Sequence, residues 1–456
     1  MKRRAFLKGL VASLSASGGP GSRASRRCDA SEVKRLDTSG MNLLLIHVEG
    51  LAAGAVGCYG NPVVKTPNLD RFASRALRFT RCYCQSSTSR LSQTSLLTGL
   101  RPDMSEISTT HRPGAGTPPA ATPRLPDLLR QYGFHTVHLD NSDAASCDKA
   151  REGCCREELP CDDEREPDEQ RGRLAVDNLV RITREGAPFF LCIGFSEPHV
   201  PRGALKTYLH LYDADNIAVP HAFACQNRDI PGVAQRFGRY GGVSGDDAAG
   251  LTTDQAAREA ILTYYAGVSF VDTQIGLVLD ALDATGHSHD TIVVILSNYG
   301  FHLGEYGLWG PSTLFEQVTR VPLLVRIPAV TIRQAVCEEI VELVDLLPTV
   351  CDLLTVPAPD RLEGKSFVPL LFDPAQPWKR AAFTVCQTAG YTGRSVRTKR
   401  WRYTDWQSWA TPQRRFELYD LDSDPWEQTN LALNPDYRNE RTILANLLQR
   451  GWQAAQ

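Results

Sequence analysis

The chain has 456 residues, enough for one large hydrophobic core and a smaller second unit. Apolar residues make up 42% and charged residues 22%, which places it with soluble globular proteins rather than disordered or fibrous ones. Lysine plus arginine number 50 against 52 acidic residues, a net charge of −2, so the basic excess that nucleic acid favours is missing and no nucleic-acid partner is expected.

Residues 1–38 read as an export signal and linker. Arg3-Arg4 precede Phe6-Leu7-Lys8 and a short apolar stretch, Gly9 to Leu14, which together resemble a twin-arginine signal. That stretch is too short to cross a bilayer, and no later segment is apolar for long enough, so the mature chain is expected to have no membrane span and to be periplasmic or extracellular. Short apolar runs at Asn42–Val48, Pro188–Phe195, Thr291–Ser297 and Val321–Ile327 read as strands buried on both faces. Helical periodicity lies between them, at Ala257–Leu282 and Ile340–Leu354. Strands alternating with helices predict an α/β fold, a large and mainly parallel sheet sandwiched by helices, over residues 40–364. After Gly364 come strand-like pieces at Ala381–Gln387, Arg394–Trp406 and Phe416–Asp420, then a helix at Asn439–Gln449. They predict a small α+β C-terminal domain, 365–456.

Two irregular stretches interrupt this pattern, Asp140–Glu169 and 222–252. The first carries Cys147, Cys154, Cys155 and Cys161. No histidine lies within that cluster and its spacing fits no zinc pattern, so disulfides or free thiols are expected, with the pairing open. In open α/β sheets ligands bind beyond the carboxyl ends of the strands. That directs attention to the loops after Val48, Phe195 and Ser297 and to the turn entering Ser86–Thr98.

Several stretches carry a resemblance: Gly57-Cys58-Tyr59-Gly60, Lys65-Thr66-Pro67-Asn68-Leu69-Asp70, Ser95-Leu96-Leu97-Thr98-Gly99 with Arg101-Pro102-Asp103, Pro198-His199-Val200-Pro201, Gly307-Leu308-Trp309-Gly310 and Glu417-Leu418-Tyr419-Asp420. In this order they resemble the sulfatases of the alkaline-phosphatase superfamily, especially the iduronate-2-sulfatase-like branch. The resemblance implies that fold, a calcium ion, hydrolysis of sulfated sugars, and a Cys/Ser-x-Pro-x-Arg motif whose first residue is oxidised to formylglycine.

The residues at those positions depart from the pattern. The resemblance implies an Asp-Asp pair after the first strand, where Glu49-Gly50 stand, and an Asp-His or Asp-Asn pair where Asn298-Tyr299 stand. A hard dication needs several carboxylate oxygens, so Glu49 and Asn298 are expected to be vestigial metal positions, with calcium weak or absent. Aligned without gaps, the motif serine falls on Ser89, its proline on Leu91 and its arginine on Gln93. An alternative register puts Ser86 and Arg90 in the Ser-x-x-x-Arg roles, shifted by nearly one helical turn. Lysine positions read Asp140-Asn141, Glu197 and Pro311, and Asp140 and Glu197 are expected to repel an anion; His199 alone is kept. Two readings follow: a pseudo-sulfatase that scaffolds or binds sulfated carbohydrate, or an active hydrolase with a serine-derived nucleophile and an altered calcium site. A structural partner of an active relative is a third.

Overall fold

A computed structural model describes residues 38–102, 122–140, 167–198, 206–220, 230–235, 253–331, 334–388 and 390–456. In chain order the main elements are β1 (Asn42–Val48), α1 (Pro67–Ala73), β2 (Leu77–Tyr83), α2 (Ser89–Thr98), α3 (Leu125–Gln131), β3 (His135–Leu139), α4 (Pro167–Ile182), β4 (Phe189–Phe195) and α5 (Asp254–Ala284). There follow β5 (Thr291–Ser297), the two-residue strands β6 (His302–Leu303) and β7 (Trp309–Gly310), β8 (Arg320–Arg326), β9 (Val336–Glu342), α6 (Leu346–Leu354) and α7 (Val368–Phe372). The chain closes with β10 (Ala381–Thr388), β11 (Tyr391–Thr398), β12 (Trp401–Ser408), β13 (Arg414–Asp420) and α8 (Arg438–Arg450). Among the described residues no helix is long and apolar enough to cross a membrane.

Seven strands form the large sheet, in the order β3-β4-β1-β5-β8-β2-β9. Side chains alternate along each strand, so every central strand feeds two cores. Leu44, Ile46 and Val48 pack with α1, α4 and α5 on one face. Leu43 and Leu45 pack with α2, α3, α6 and α7 on the other. Burial on both faces is why β1, β4 and β5 are continuous apolar runs.

Four strands differ from the sequence reading. β8, whose direction the apolar run does not specify, runs antiparallel to both β5 and β2 within the mainly parallel sheet, and β9 then pairs parallel with β2. The periodic segment from Ile340 splits: Ile340–Glu342 end β9, and the helix starts only at Leu346. The break is chemical, because Glu342 and Asp345 form a reciprocal cap and so stop the strand. Arg394–Trp406 is two antiparallel strands, β11 and β12, turning at Lys399-Arg400. Phe367, Val368, Leu370 and Leu371 pack in the main core, so the side chains on either side of Gly364 share one hydrophobic cluster.

The second sheet is an antiparallel meander, β10-β11-β12-β13, covered by α8. Two buried ionic knots tie it to the first. In one, Arg101 grips both Glu342 oxygens at 2.8 and 2.7 Å, and Lys379 reaches Glu342 at 2.9 Å and Asp345 at 2.6 Å. In the other, Glu316 accepts from Arg397 at 3.0 Å and Arg402 at 2.6 Å, and Arg402 also binds Glu427. Burial alone would raise the Glu316 and Glu342 carboxyls, but the paired cations outweigh it and hold each at about 2. A backbone bridge between Ser86 and Val385 adds a third tie, beside the turn that enters α2.

Candidate active site

The carboxyl ends of β1, β4 and β5 lie level. Val48 is in register with Phe195 on one side and Ser297 on the other. The next residues are held rigidly. The Glu49 N–H donates to the Phe195 carbonyl at 2.8 Å, and the Ser297 hydroxyl donates to the Val48 carbonyl at 2.9 Å. Gly50 has φ +70°, the left-handed region that favours glycine, and its carbonyl accepts from the buried Tyr264 hydroxyl at 2.6 Å.

Glu49, Asn298, Tyr299 and Ser89 meet at these strand ends. The Asn298 amide nitrogen donates to Ser89 Oγ at 3.2 Å, and its carbonyl oxygen accepts from the Gly50 N–H at 3.4 Å. Tyr299 is 1% exposed, and its hydroxyl donates to Glu49 Oε1 at 3.2 Å. Burial first, and the adjoining Glu49 carboxylate second, push the Tyr299 phenol well above its ordinary value, so it stays a neutral donor.

Ser89 is the first residue of α2. Thr88 stands at the N-cap in an extended conformation without a side-chain cap, so the first turn of the helix offers N–H groups towards this space. Ser86 is elsewhere. It is fully buried on extended chain ahead of α2, bridged to Val385, and its Oγ lies 3.0 Å from Thr88 Oγ1 and accepts from the Thr88 N–H at 3.3 Å. In the shifted register Ser86 therefore precedes the helix, while Arg90 and Gln93 both lie on α2, three residues apart. Arg90 is exposed on the outer side of α2. His199 and the four cysteines of the 147–161 cluster lie outside the described residues. Seven other cysteines, Cys58, Cys82, Cys84, Cys192, Cys337, Cys351 and Cys386, are free thiols.

Asp140 departs from its expected role. Its carboxylate turns under α2, where Gln93 Nε2 donates to it and His47 Nε2 lies 3.3 Å away. Its charge is matched inside the protein and is not presented to an incoming anion. Glu197 is 4% exposed, and its N–H donates to Asp168 at 2.8 Å.

A cluster that the sequence reading missed adjoins Asp140. His47 on β1, His138 on β3 and Cys192 on β4 bring their donor atoms within 4.8 Å of one another. Burial works against charge on His47, but Asp140 outweighs it and raises the imidazole to about 10. Burial likewise opposes ionisation of Cys192, yet the facing His138 and His47 bring the thiol down to about 7. Two histidines and a cysteine inside otherwise apolar strands were the available signal, but only the order β3-β4-β1 joins them.

A mainly parallel sheet between helix layers, a second antiparallel sheet, and polar groups converging beyond aligned strand ends define the class, a hydrolase-type α/β protein of the alkaline-phosphatase superfamily. Residues 41–356 match the sulfatase family model, and residues 304–453 match that of the N-sulphoglucosamine sulphohydrolase C-terminal region. The chain belongs to the sulfatase family. It is 28% identical over 404 residues to mouse (Mus musculus) iduronate 2-sulfatase, covering 72% of this chain and 71% of that one. It is 26% identical over 473 residues to a sulfatase of Formosa agariphila, covering 93% and 89%. Among solved structures, one in complex with its substrate D-glucosamine-2-N,6-O-disulfate superposes with a TM-score of 0.76 at 20% identity, covering 91% and 98%.

Proposed function

We propose that this chain is an exported pseudo-sulfatase of the iduronate-2-sulfatase-like branch, with little or no hydrolysis of sulfate esters and a retained scaffold or binding role towards sulfated carbohydrate. The observation that carries this reading is the Tyr299 hydroxyl on Glu49 Oε1. Where several carboxylates are needed to compensate a dication, this position offers one, and a neutral phenol occupies an oxygen of it. Gly50 has no side chain to contribute, and Asn298 already spends its amide on Ser89 and Gly50. The residues present do not fit the family's calcium ion.

The likeness to enzymes acting on sulfated sugars supports that class of ligand, and Arg3-Arg4 with Phe6-Leu7-Lys8 support export. One observation favours the active reading instead: Ser89 begins α2 with Asn298 at its hydroxyl, a position from which a serine-derived aldehyde hydrate would face the N–H groups of the first turn.

Calorimetry on the full chain separates the two. The silent centre takes up no calcium at millimolar metal, peptide mass spectrometry over residues 81–101 finds Ser89 unmodified, and arylsulfate is not turned over. Formylglycine at Ser89 together with calcium uptake would falsify it. Binding on a glycan array without turnover identifies the sulfated ligand.

A further inference from the structure

We propose that His47, His138 and Cys192 form a binding site for a zinc-class divalent cation, on the α2 side of the sheet and apart from the family's calcium position. The three residues lie on adjacent strands in the order β3-β4-β1, and His138 stands directly opposite Cys192 in register. Each projects towards the core face that holds α2, since Leu43, Leu45 and Phe190, in phase with them along their strands, pack there.

Three features point to an ion. First, the donor set is two imidazoles and a thiol, the nitrogen and sulfur ligands that select zinc over calcium. Second, these nitrogens are only loosely engaged: Nδ1 of His47 is buried without a hydrogen-bond partner, and Nε2 of His47 and of His138 meet Asp140 at 3.3 and 3.8 Å, beyond strong hydrogen-bond distance. His47 is 3% exposed, so water does not reach these nitrogens. Third, the strand beside them has been cleared. A Cβ on Gly194 would lie 2.5 Å from His47 Cε1, 2.6 Å from its Nε2 and 2.8 Å from Asp140 Oδ1, so this position admits no side chain.

Charge and geometry close. A dication is balanced by the Cys192 thiolate and the Asp140 carboxylate, which lies 3.3 Å from His47 Nε2 and 3.8 Å from His138 Nε2. Tetrahedral bonds of about 2.0–2.3 Å set donors about 3.5 Å apart, so the donors, now within 4.8 Å, close by rotamer adjustments of about 1 Å. Binding releases to solvent the Cys192 thiol proton and the imidazolium proton that Asp140 holds on His47, and forms Cys192 Sγ–metal and two imidazole–metal bonds, with no oxidant or reductant required. The ion would pin β3, β4 and β1 beneath Gln93 of α2, one helical turn from Ser89.

The test is cobalt(II) titration of the full chain after chelation and thiol reduction, followed by optical spectroscopy. One equivalent is expected to give the intense visible bands of a tetrahedral ion and a near-ultraviolet thiolate-to-cobalt band, both bleached by zinc. Cys192→Ser should lose the charge-transfer band, and His138→Gln should weaken uptake by about tenfold or more. Both variants are checked for wild-type circular dichroism, and zinc should raise the melting temperature of the wild type alone. Glu49→Gln should leave the spectrum unchanged, which separates this site from the calcium position. Absence of a stoichiometric spectrum in folded wild type overturns the proposal. So does a charge-transfer band that survives in Cys192→Ser, because it would place the thiolate elsewhere, as at the 147–161 cysteines.

Discussion

The strand ends around the half-buried Glu49 and the buried seam between the two sheets are both polar and both assembled from distant parts of the chain. They differ in how charge is matched. At the seam Glu316 and Glu342 each meet two cations at hydrogen-bond distance. At the strand ends the acidic group meets a phenol, and an amide meets a serine. A fold needs its buried charges compensated from within. A dication site needs the reverse, a surplus of negative charge that only the ion completes. Among the described residues the seam meets the first requirement, and the strand ends offer one carboxylate, already bonded to a phenol, towards the second, so the two rest on separate sets of residues.

The sharpest way to break this contrast is Arg402→Met. Arg402 is 1% exposed, and its loss leaves Glu316 and Glu427 facing each other without it, so we expect about 3–5 kcal/mol of destabilisation in urea unfolding. A loss below about 1 kcal/mol would mean that the seam is not what holds the sheets together.

The pH dependence of stability comes next. Glu316 and Glu342 sit at about 2 in the folded chain against an ordinary 4.5, so their contribution is complete above about 4.5 and disappears as pH falls towards 2. Glu417 behaves oppositely. Burial outweighs its bonds from Trp406 and Tyr419 and raises it to about 7, so it erodes stability as pH climbs from 4.5 to 7. Glu417→Gln should remove that second slope, a difference of the order of 2 kcal/mol between urea midpoints at pH 5 and pH 7.5. Parallel curves for variant and wild type would count against it.

A smaller effect is expected from rebuilding the strand ends. Asn298→Asp with Tyr299→Asn adds a carboxylate and frees Glu49 from the phenol. Calorimetry should then detect calcium at least about tenfold more tightly held than in wild type, roughly 1.4 kcal/mol. The buried ring is lost in exchange, so the variant should also melt earlier. Unchanged calcium uptake would show that the deficit lies in Gly50 or beyond. The smallest change belongs to Ser89→Ala, which removes one hydrogen bond to Asn298 and should cost less than about 1 kcal/mol, with arylsulfate turnover no different from wild type. A drop in turnover would return Ser89 to the role of nucleophile.

Much of the fold can be read from residues alone, for a physical reason. β1, β4 and β5 are buried on both faces, and that leaves an unbroken apolar run. The direction of β8 cannot be read, since Val321 to Val325 look the same whichever way the strand runs. β9 is hidden by its own function. Cys337-Glu338-Glu339-Ile340-Val341-Glu342 carries charge into the interior, and only the arrival of Arg101 and Lys379 makes Glu342 tolerable there. At the site, motif spacing leads to Glu49, Asn298 and Ser89, but the bond from Tyr299 depends on where a side chain points. Asp140 was misjudged for the same reason: its substitution suggested repulsion, while its orientation gives it to His47.

The bridge from Ser86 to Val385 has a consequence for how the chain matures. The turn that delivers Ser89 leans on a strand that leaves the ribosome among the last. During synthesis the first sheet can gather its layers early, whereas the turn into α2 gains this bridge only once β10 has formed. A protein shortened before β10 would thus lose the bridge that holds the turn into α2 sooner than its core.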